Sequence, residues 1–208
     1  MAQPLSPLGM SDSKRSILLK KKELRARMKK ALLALTEEKR REYSERICQH
    51  LVASPLWTAY PSIAMFAGDR TEPDLLPLLD RTDAPALFFP KVRAEHILEW
   101  YRITDQSQFE PGAYGLLEPK VGLEAGTYDP EQVLLLIPGR AFSSTGDRLG
   151  RGGGYYDRLL ARVGDPSRMV GIGFSFQLHD LVPSEPHDEP VGSFLCESGH
   201  LEVVSDPS

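Results

Sequence analysis

The chain of 208 residues is long enough for one sizeable α/β core, and its length alone points to a single domain. Its formal net charge of −4, from 25 basic and 29 acidic residues, argues against a generic nucleic-acid coat. Cys48 and Cys196 form neither a disulfide framework nor a metal-ligand spacing; no apolar run approaches the roughly 20 residues of a membrane span, and the N-terminus has no signal-peptide core, so a cytoplasmic protein is expected.

Residues 1–13, with two prolines, a glycine and small polar side chains, read as a mobile leader, and 14–204 as the domain. From 14 to about 35 a helix is predicted. Leu24, Met28 and Leu32 recur every fourth residue as an apolar stripe, with Lys21, Arg25 and Lys29 as a basic row beside it. Thr36 can cap a second helix, with Glu37 and Glu38 in its first turn and Tyr43, Ile47 and Leu51 facing inward, giving an N-terminal helical hairpin. Beyond it, 62–67, 87–92, 98–103, 133–137 and 170–175 read as strands, and 75–79 and 155–163 as helical segments. The alternation argues for a single three-layer α/β domain, with an open, largely parallel sheet covered by helices on both faces. In such a sheet the ligand sits beyond the carboxyl ends of the strands.

Residues 148–157 read Arg-Leu-Gly-Arg-Gly-Gly-Gly-Tyr-Tyr-Asp. The unbroken apolar run Val133, Leu134, Leu135, Leu136, Ile137 feeds this segment as a buried strand, and Tyr155, Leu159, Leu160 and Val163 leave it at helical spacing. Gly150, Gly152, Gly153 and Gly154 let the backbone approach a ligand, and free amides at a helix start favour an anion. A flexible surface turn is the plainer alternative, but it has no use for Arg148, Arg151 and Asp157 in fixed register. The loop is not a Walker A sequence, since no Gly-Lys-Ser/Thr follows, nor a dinucleotide fingerprint, since Tyr155 stands where the third glycine would fall.

The stretch IPGRAFSSTGDRLGRGGGYYDRLL, 137–160, is similar to the signature of the 5-formyltetrahydrofolate cyclo-ligase family. The resemblance runs from Lys21-x-x-x-Arg25 through FFPKV (88–92) and GAYGLLEP (112–119) to HDEP (187–190). It implies ATP contacts from Lys21, Arg25, Arg148, Leu149, Gly150, Arg151, Gly152, Gly153, Gly154, Tyr155 and Tyr156, with Arg148 and Arg151 facing Lys21 and Arg25 across the phosphates. Lys21, Arg148 and Arg151 are the catalytic cations on this reading. It further implies a folate pocket from Met65, Asp69, Tyr114, Arg151, Gly152, Gly153, Gly154 and Tyr155, and magnesium on Asp157 and Asp188. Three positions depart from the family pattern as read here: Asp69 replaces Glu, and Ser143 and Gly192 replace Asp. On the residues alone, the basic row could be a solvated face, Met65 and Tyr155 core, Tyr114 a packed loop aromatic, and Asp69 a turn residue.

The resemblance implies an ATP-driven ring closure in which the formyl oxygen of 5-formyltetrahydrofolate is phosphorylated and the nitrogen at position 10 then closes the ring. The expected partners are these two small molecules, with Mg2+, no nucleic acid, no membrane and a monomeric enzyme. Two alternatives stand beside it: another phosphate-ligand enzyme on a similar sheet, and an RNA-binding or docking module using the basic first helix.

Overall fold

The computed structural model describes residues 12–94, 97–112 and 116–202. The apolar run 133–137 is buried throughout, and its alternating side chains part into two cores. Leu134 and Leu136 join a cluster with Ile47, Leu51, Trp57, Ile63 and Phe89, whereas Val133, Leu135 and Ile137 join one with Phe142, Leu160 and Phe194. A strand covered on both faces is therefore the spine of the molecule.

Helices α1 (Asp12–Ala34), α2 (Glu37–Ala53) and the single turn α3 (Leu56–Ala59) lead into strand β1 (Ser62–Ala64). Strands β2 (Ala86–Val92) and β3 (Leu98–Arg102) follow, then β4 (Phe109–Pro111) and β5 (Leu117–Pro119). The second half runs β6 (Val133–Pro138), β7 (Ala141–Ser143), β8 (Arg148–Leu149), α4 (Tyr155–Val163), β9 (Met169–Ile172), β10 (Leu178–His179), β11 (Ser193–Cys196) and β12 (Gly199–Glu202). Seven strands form the main sheet in the order β12-β11-β9-β6-β1-β2-β3. The five inner strands are parallel, and the edge strands β12 and β3 run antiparallel to their neighbours. Helix α2 and α3 cover one face through Ile47, Leu51 and Trp57; α4 covers the other through Leu160. This is the three-layer α/β arrangement expected from the alternation.

A small sheet of β10, β7 and β8 sits beside the main one. Phe142 of β7 fixes it there. A Cβ on Gly139 or Gly171 would come within 2.5 Å of the Phe142 ring, so two glycines leave the space that this ring fills. Phe142 also meets Phe194 with ring centroids 4.8 Å apart. The two N-terminal helices differ in what they bury. Leu32 of α1 shares the larger core with α2, whereas Leu24 and Met28 pack on Ala141, Leu149 and Val182. The first helix thus lies against the small sheet that carries the glycine loop.

Several boundaries differ from the sequence expectation. The strand expected over 62–67 ends its ladder at Ala64, although the Met65 N–H still donates to the Phe88 carbonyl at 2.9 Å; the chain then turns at Asp69, whose carboxylate accepts the Thr71 N–H. The strand expected over 170–175 spans Met169–Ile172, because the Ser175 N–H and hydroxyl are taken by the Glu197 carboxylate in a 3-10 turn. The helical segment expected over 75–79 is a 3-10 turn, Leu76–Asp80, with Pro77 at its start. The short strands β4, β5, β7, β8 and β10, and the terminal hairpin β11–β12, were not expected from periodicity, since two to four residues give too little pattern. Among the described residues no helix is long and apolar enough to cross a membrane.

Candidate active site

The glycine loop is locked beneath the carboxyl end of the central strand. Arg148 is the lock: its guanidinium donates from Nη1 to the Pro138 carbonyl at 3.1 Å and from Nη2 to the Asp157 carboxylate. Only 3% of the Arg148 side chain is exposed, its Nε lacks a hydrogen-bond partner, and its charged end lies 5.9 Å from the centre of the Tyr156 ring. One side chain therefore ties the end of β6 to the first turn of α4. Arg148, expected to face Lys21 and Arg25 across a ligand, has its guanidinium turned inward in this structure, where a buried cation finds its acceptors.

Above the lock, Gly152 and Gly154 take φ values of 101° and 71°, the left-handed region that side chains avoid, and Gly154 begins α4. Tyr155 and Tyr156 open that helix, partly buried. Leu149 is packed with Leu24 and Met28, and its carbonyl accepts the Arg140 N–H at 2.6 Å, so only its backbone belongs to the loop. From α1, Arg25 donates Nε to the Gly150 carbonyl at 2.9 Å. The basic row splits accordingly: Lys21 is buried, Arg25 partly buried and Lys29 exposed.

Arg151, 35% exposed, points the opposite way from Arg148. Its Nη2 lies 2.7 Å from Asp69 Oδ2 and 2.8 Å from Glu72 Oε1. Asp69 also accepts the Thr71 N–H and hydroxyl at 2.7 and 2.5 Å, and Thr71 in turn accepts Arg140 Nη1 at 2.8 Å. Asp69 is therefore both turn residue and ion-pair partner. Burial raises the Asp69 pKa, but the Thr71 hydrogen bonds and the Arg151 charge more than offset it, and the net shift is downward. Glu72, with a side chain 7% exposed, goes the other way: burial pushes its carboxyl above the ordinary range despite Arg151. Thr71, Glu72 and Arg140 were missed by sequence reasoning, although Glu72 follows the first predicted strand closely enough to fall at its carboxyl end. Met65 is wholly buried in the larger core and fills the interior rather than lining an open wall. Tyr114 lies outside the described residues.

A second charged group lies at the other side of the loop. The Lys21 ammonium is 2.5 Å from Asp188 Oδ2 and 2.8 Å from Glu185 Oε2, and the Glu185 N–H donates to Asp188 Oδ2 at 2.6 Å. Burial lowers the Lys21 pKa, but hydrogen bonds to Asp188 and Glu185 outweigh it, so the ammonium is held charged. One ligand atom each from Glu185, His187 and Asp188 falls within 4.8 Å of the others. Asp157 does not join that group, and one of its oxygens is committed to Arg148.

The two departures at expected acidic positions have physical reasons. Ser143 is 1% exposed and donates to Asp147 Oδ2 at 3.0 Å while accepting the Asp147 N–H at 2.9 Å. A carboxylate thus stands beside position 143, supplied from four residues on. At Gly192 a Cβ would come 2.1 Å from the Pro166 carbonyl oxygen, so no side chain fits there without moving backbone.

Fold and loop define the class: an α/β protein with a glycine-rich loop tied through Arg148 to the carboxyl end of its central parallel strand. Residues 18–197 match the 5-formyltetrahydrofolate cyclo-ligase family, and the chain belongs to that family and is a ligase. The solution structure of 5,10-methenyltetrahydrofolate synthetase from Aquifex aeolicus superposes with a TM-score of 0.76 at 34% identity, covering 90% of this chain and 95% of that one. The 5-formyltetrahydrofolate cyclo-ligase of Mus musculus is 26% identical over 85% of this chain and 93% of its own length. The mitochondrial 5-formyltetrahydrofolate cyclo-ligase of Arabidopsis thaliana is 26% identical over 91% of this chain and 78% of its own.

Proposed function

We infer that the chain catalyses the ATP-dependent conversion of 5-formyltetrahydrofolate to 5,10-methenyltetrahydrofolate, releasing ADP and phosphate. The observation that carries this reading is that one glycine loop is met by Arg25 from α1, with Lys21 one turn earlier on the same helix, and by Asp69 and Glu72 from beyond β1, which pair with the loop's own Arg151. The γ-phosphoryl group passes from ATP to the formyl oxygen, which turns a poor leaving group into a good one. Attack by the nitrogen at position 10 then closes the ring and expels phosphate. No covalent enzyme intermediate is needed, which suits a site rich in cations and glycines.

The loop amides, Lys21 and Arg25 hold the triphosphate, while Arg148 keeps the loop in shape from beneath. Asp69, Glu72, Arg151 and Tyr155 recognise the pterin, where a carboxyl group such as Glu72 matches the paired donors of an aminopyrimidinone edge. The donor set also suits magnesium, a hard cation that takes carboxylate oxygens and keeps waters: Asp188 and Glu185 bring oxygens close together, and Asp157, one oxygen of which is taken by Arg148, offers the other. When bound, the cation would neutralise phosphate charge during transfer. The protein is proposed to act as a cytoplasmic monomer.

The test is an assay of purified protein with ATP, magnesium and 5-formyltetrahydrofolate, followed by the absorbance of the methenyl product and by ADP release. One ADP per product is the expected result. Product formed at an equal rate without nucleotide would overturn the reading.

A further inference from the structure

In this structure the acids that suit a divalent cation already hold a cation belonging to the chain. Lys21 reaches them from α1, its side chain 5% exposed, with Glu185 and Asp188 at 10% and 14%. An ammonium 2.5 to 2.8 Å from both carboxylates stands where a divalent ion would have to lie, about 2.0 to 2.1 Å from the same oxygens. The two positive charges exclude each other. Yet Lys21 also stands one helical turn before Arg25, whose Nε donates to the Gly150 carbonyl of the loop that would receive the triphosphate. The charge count is uneven as well: two carboxylates and one ammonium leave one negative charge, close enough for the buried Arg148 to feel Asp188.

We propose that Lys21 is the resident counter-ion of the Glu185–Asp188 pair in the nucleotide-free protein, and that it yields the pair to a divalent cation only when nucleotide phosphates arrive to receive its ammonium. The proposal rests on the ligase reading above. Without nucleotide, displacing Lys21 leaves a buried ammonium with no partner, so the free cation is disfavoured at the carboxylates. A triphosphate supplies an acceptor for the ammonium, and the flexible four-carbon stem lets it turn there. Each of the two incoming species therefore favours the other, a reciprocal coupling carried by one side chain. Glu185 becomes a cation ligand and a positioning residue for Lys21, a role that the family motif did not mark in the sequence.

Manganese serves as the probe, with free Mn2+ counted by electron paramagnetic resonance on the full chain and no nucleotide or folate present. The parent protein is expected to bind Mn2+ weakly, and Lys21→Met, which keeps the length but removes the charge, at least tenfold more tightly. Equal affinity of parent and Lys21→Met, or no binding by either, overturns the proposal. Lys21→Met/Glu185→Gln should return to the weak affinity of the parent, and a double variant binding as tightly as Lys21→Met also overturns it. Should Lys21→Met fail to fold, Lys21→Gln carries the same comparison, with the Mn2+-induced rise in Tm as second readout. Because folate and ATP are absent, a negative result here leaves the ligase reading intact, and a failed ligase assay leaves the Mn2+ comparison readable.

Discussion

Arg148 and Arg151 stand three residues apart in one loop, carry the same group and meet opposite environments. Arg148 is almost sealed from water and spends its donors on a backbone carbonyl and Asp157, whereas Arg151 keeps a third of its surface and sits among Asp69, Thr71 and Glu72. A cation of the first kind fixes the shape of the loop, and one of the second kind is available to a ligand at the loop's surface. Charge in a motif does not by itself say which of the two roles a residue has; the direction in which the backbone points it does.

The sharpest way to break this contrast is to remove each arginine and measure both stability and turnover. Arg148→Ala leaves Asp157 and the Pro138 carbonyl without their partner, and should cost about 3 kcal/mol, the low end for a broken buried ion pair because Asp157 keeps some water. Urea unfolding should show the lower midpoint, and activity should fall with it. Arg151→Ala should lower kcat/KM roughly tenfold or more, the loss of one charge-assisted contact of about 1.5 to 3 kcal/mol, while the unfolding midpoint moves little. If both variants lose stability equally, the distinction between them fails.

The neighbouring turn offers a smaller test. Ser143→Asp would set a second carboxylate against Asp147 in a buried turn, and should lower stability by about 1 to 2 kcal/mol rather than improve magnesium use. The measurement is a thermal melt with and without magnesium; a higher Tm would refute it. Tyr155→Ala should raise KM for the folate about three- to tenfold with KM for ATP nearly unchanged, the scale of a lost aromatic contact. A parallel rise in both constants would place Tyr155 in the packing instead.

The smallest effect concerns Glu72. Because burial raises its carboxyl pKa, its contribution to folding is most favourable at low pH, where it is protonated in both states, and declines as pH rises through the raised folded value. Glu72→Gln should therefore be at least as stable as the parent at neutral pH, with the difference closing as pH falls toward about 4. Melting curves across that range would show it. A difference that grows on acidification would mean Arg151 keeps Glu72 ionised.

The central strand was legible in sequence because five consecutive apolar residues admit few other readings, and α1 because its stripe repeats for several turns. The glycine loop was legible because its composition is costly unless used. What escaped was how side chains meet: that Arg148 would turn beneath the loop to Asp157, nine residues on, and, over long sequence distances, that Arg151 would meet Glu72 and Lys21 would meet Glu185. A helical row places Lys21 and Arg25 on one face but does not say what faces them. Gly192 was read as a missing acid, and only the Pro166 carbonyl opposite it explains why a side chain has no room.

The Lys21–Asp188 contact joins positions 167 residues apart in the chain. During synthesis the ribosome therefore delivers Lys21 long before Asp188, with the glycine loop emerging between them. A chain stalled or cleaved before residue 185 would carry the loop and the cationic helix but none of the acids that hold Lys21. Such a fragment would lack the contact that draws the first helix to the segment around residue 188. Engagement of Lys21 thus reports that residues 185–188 have been made and have folded back onto the first helix.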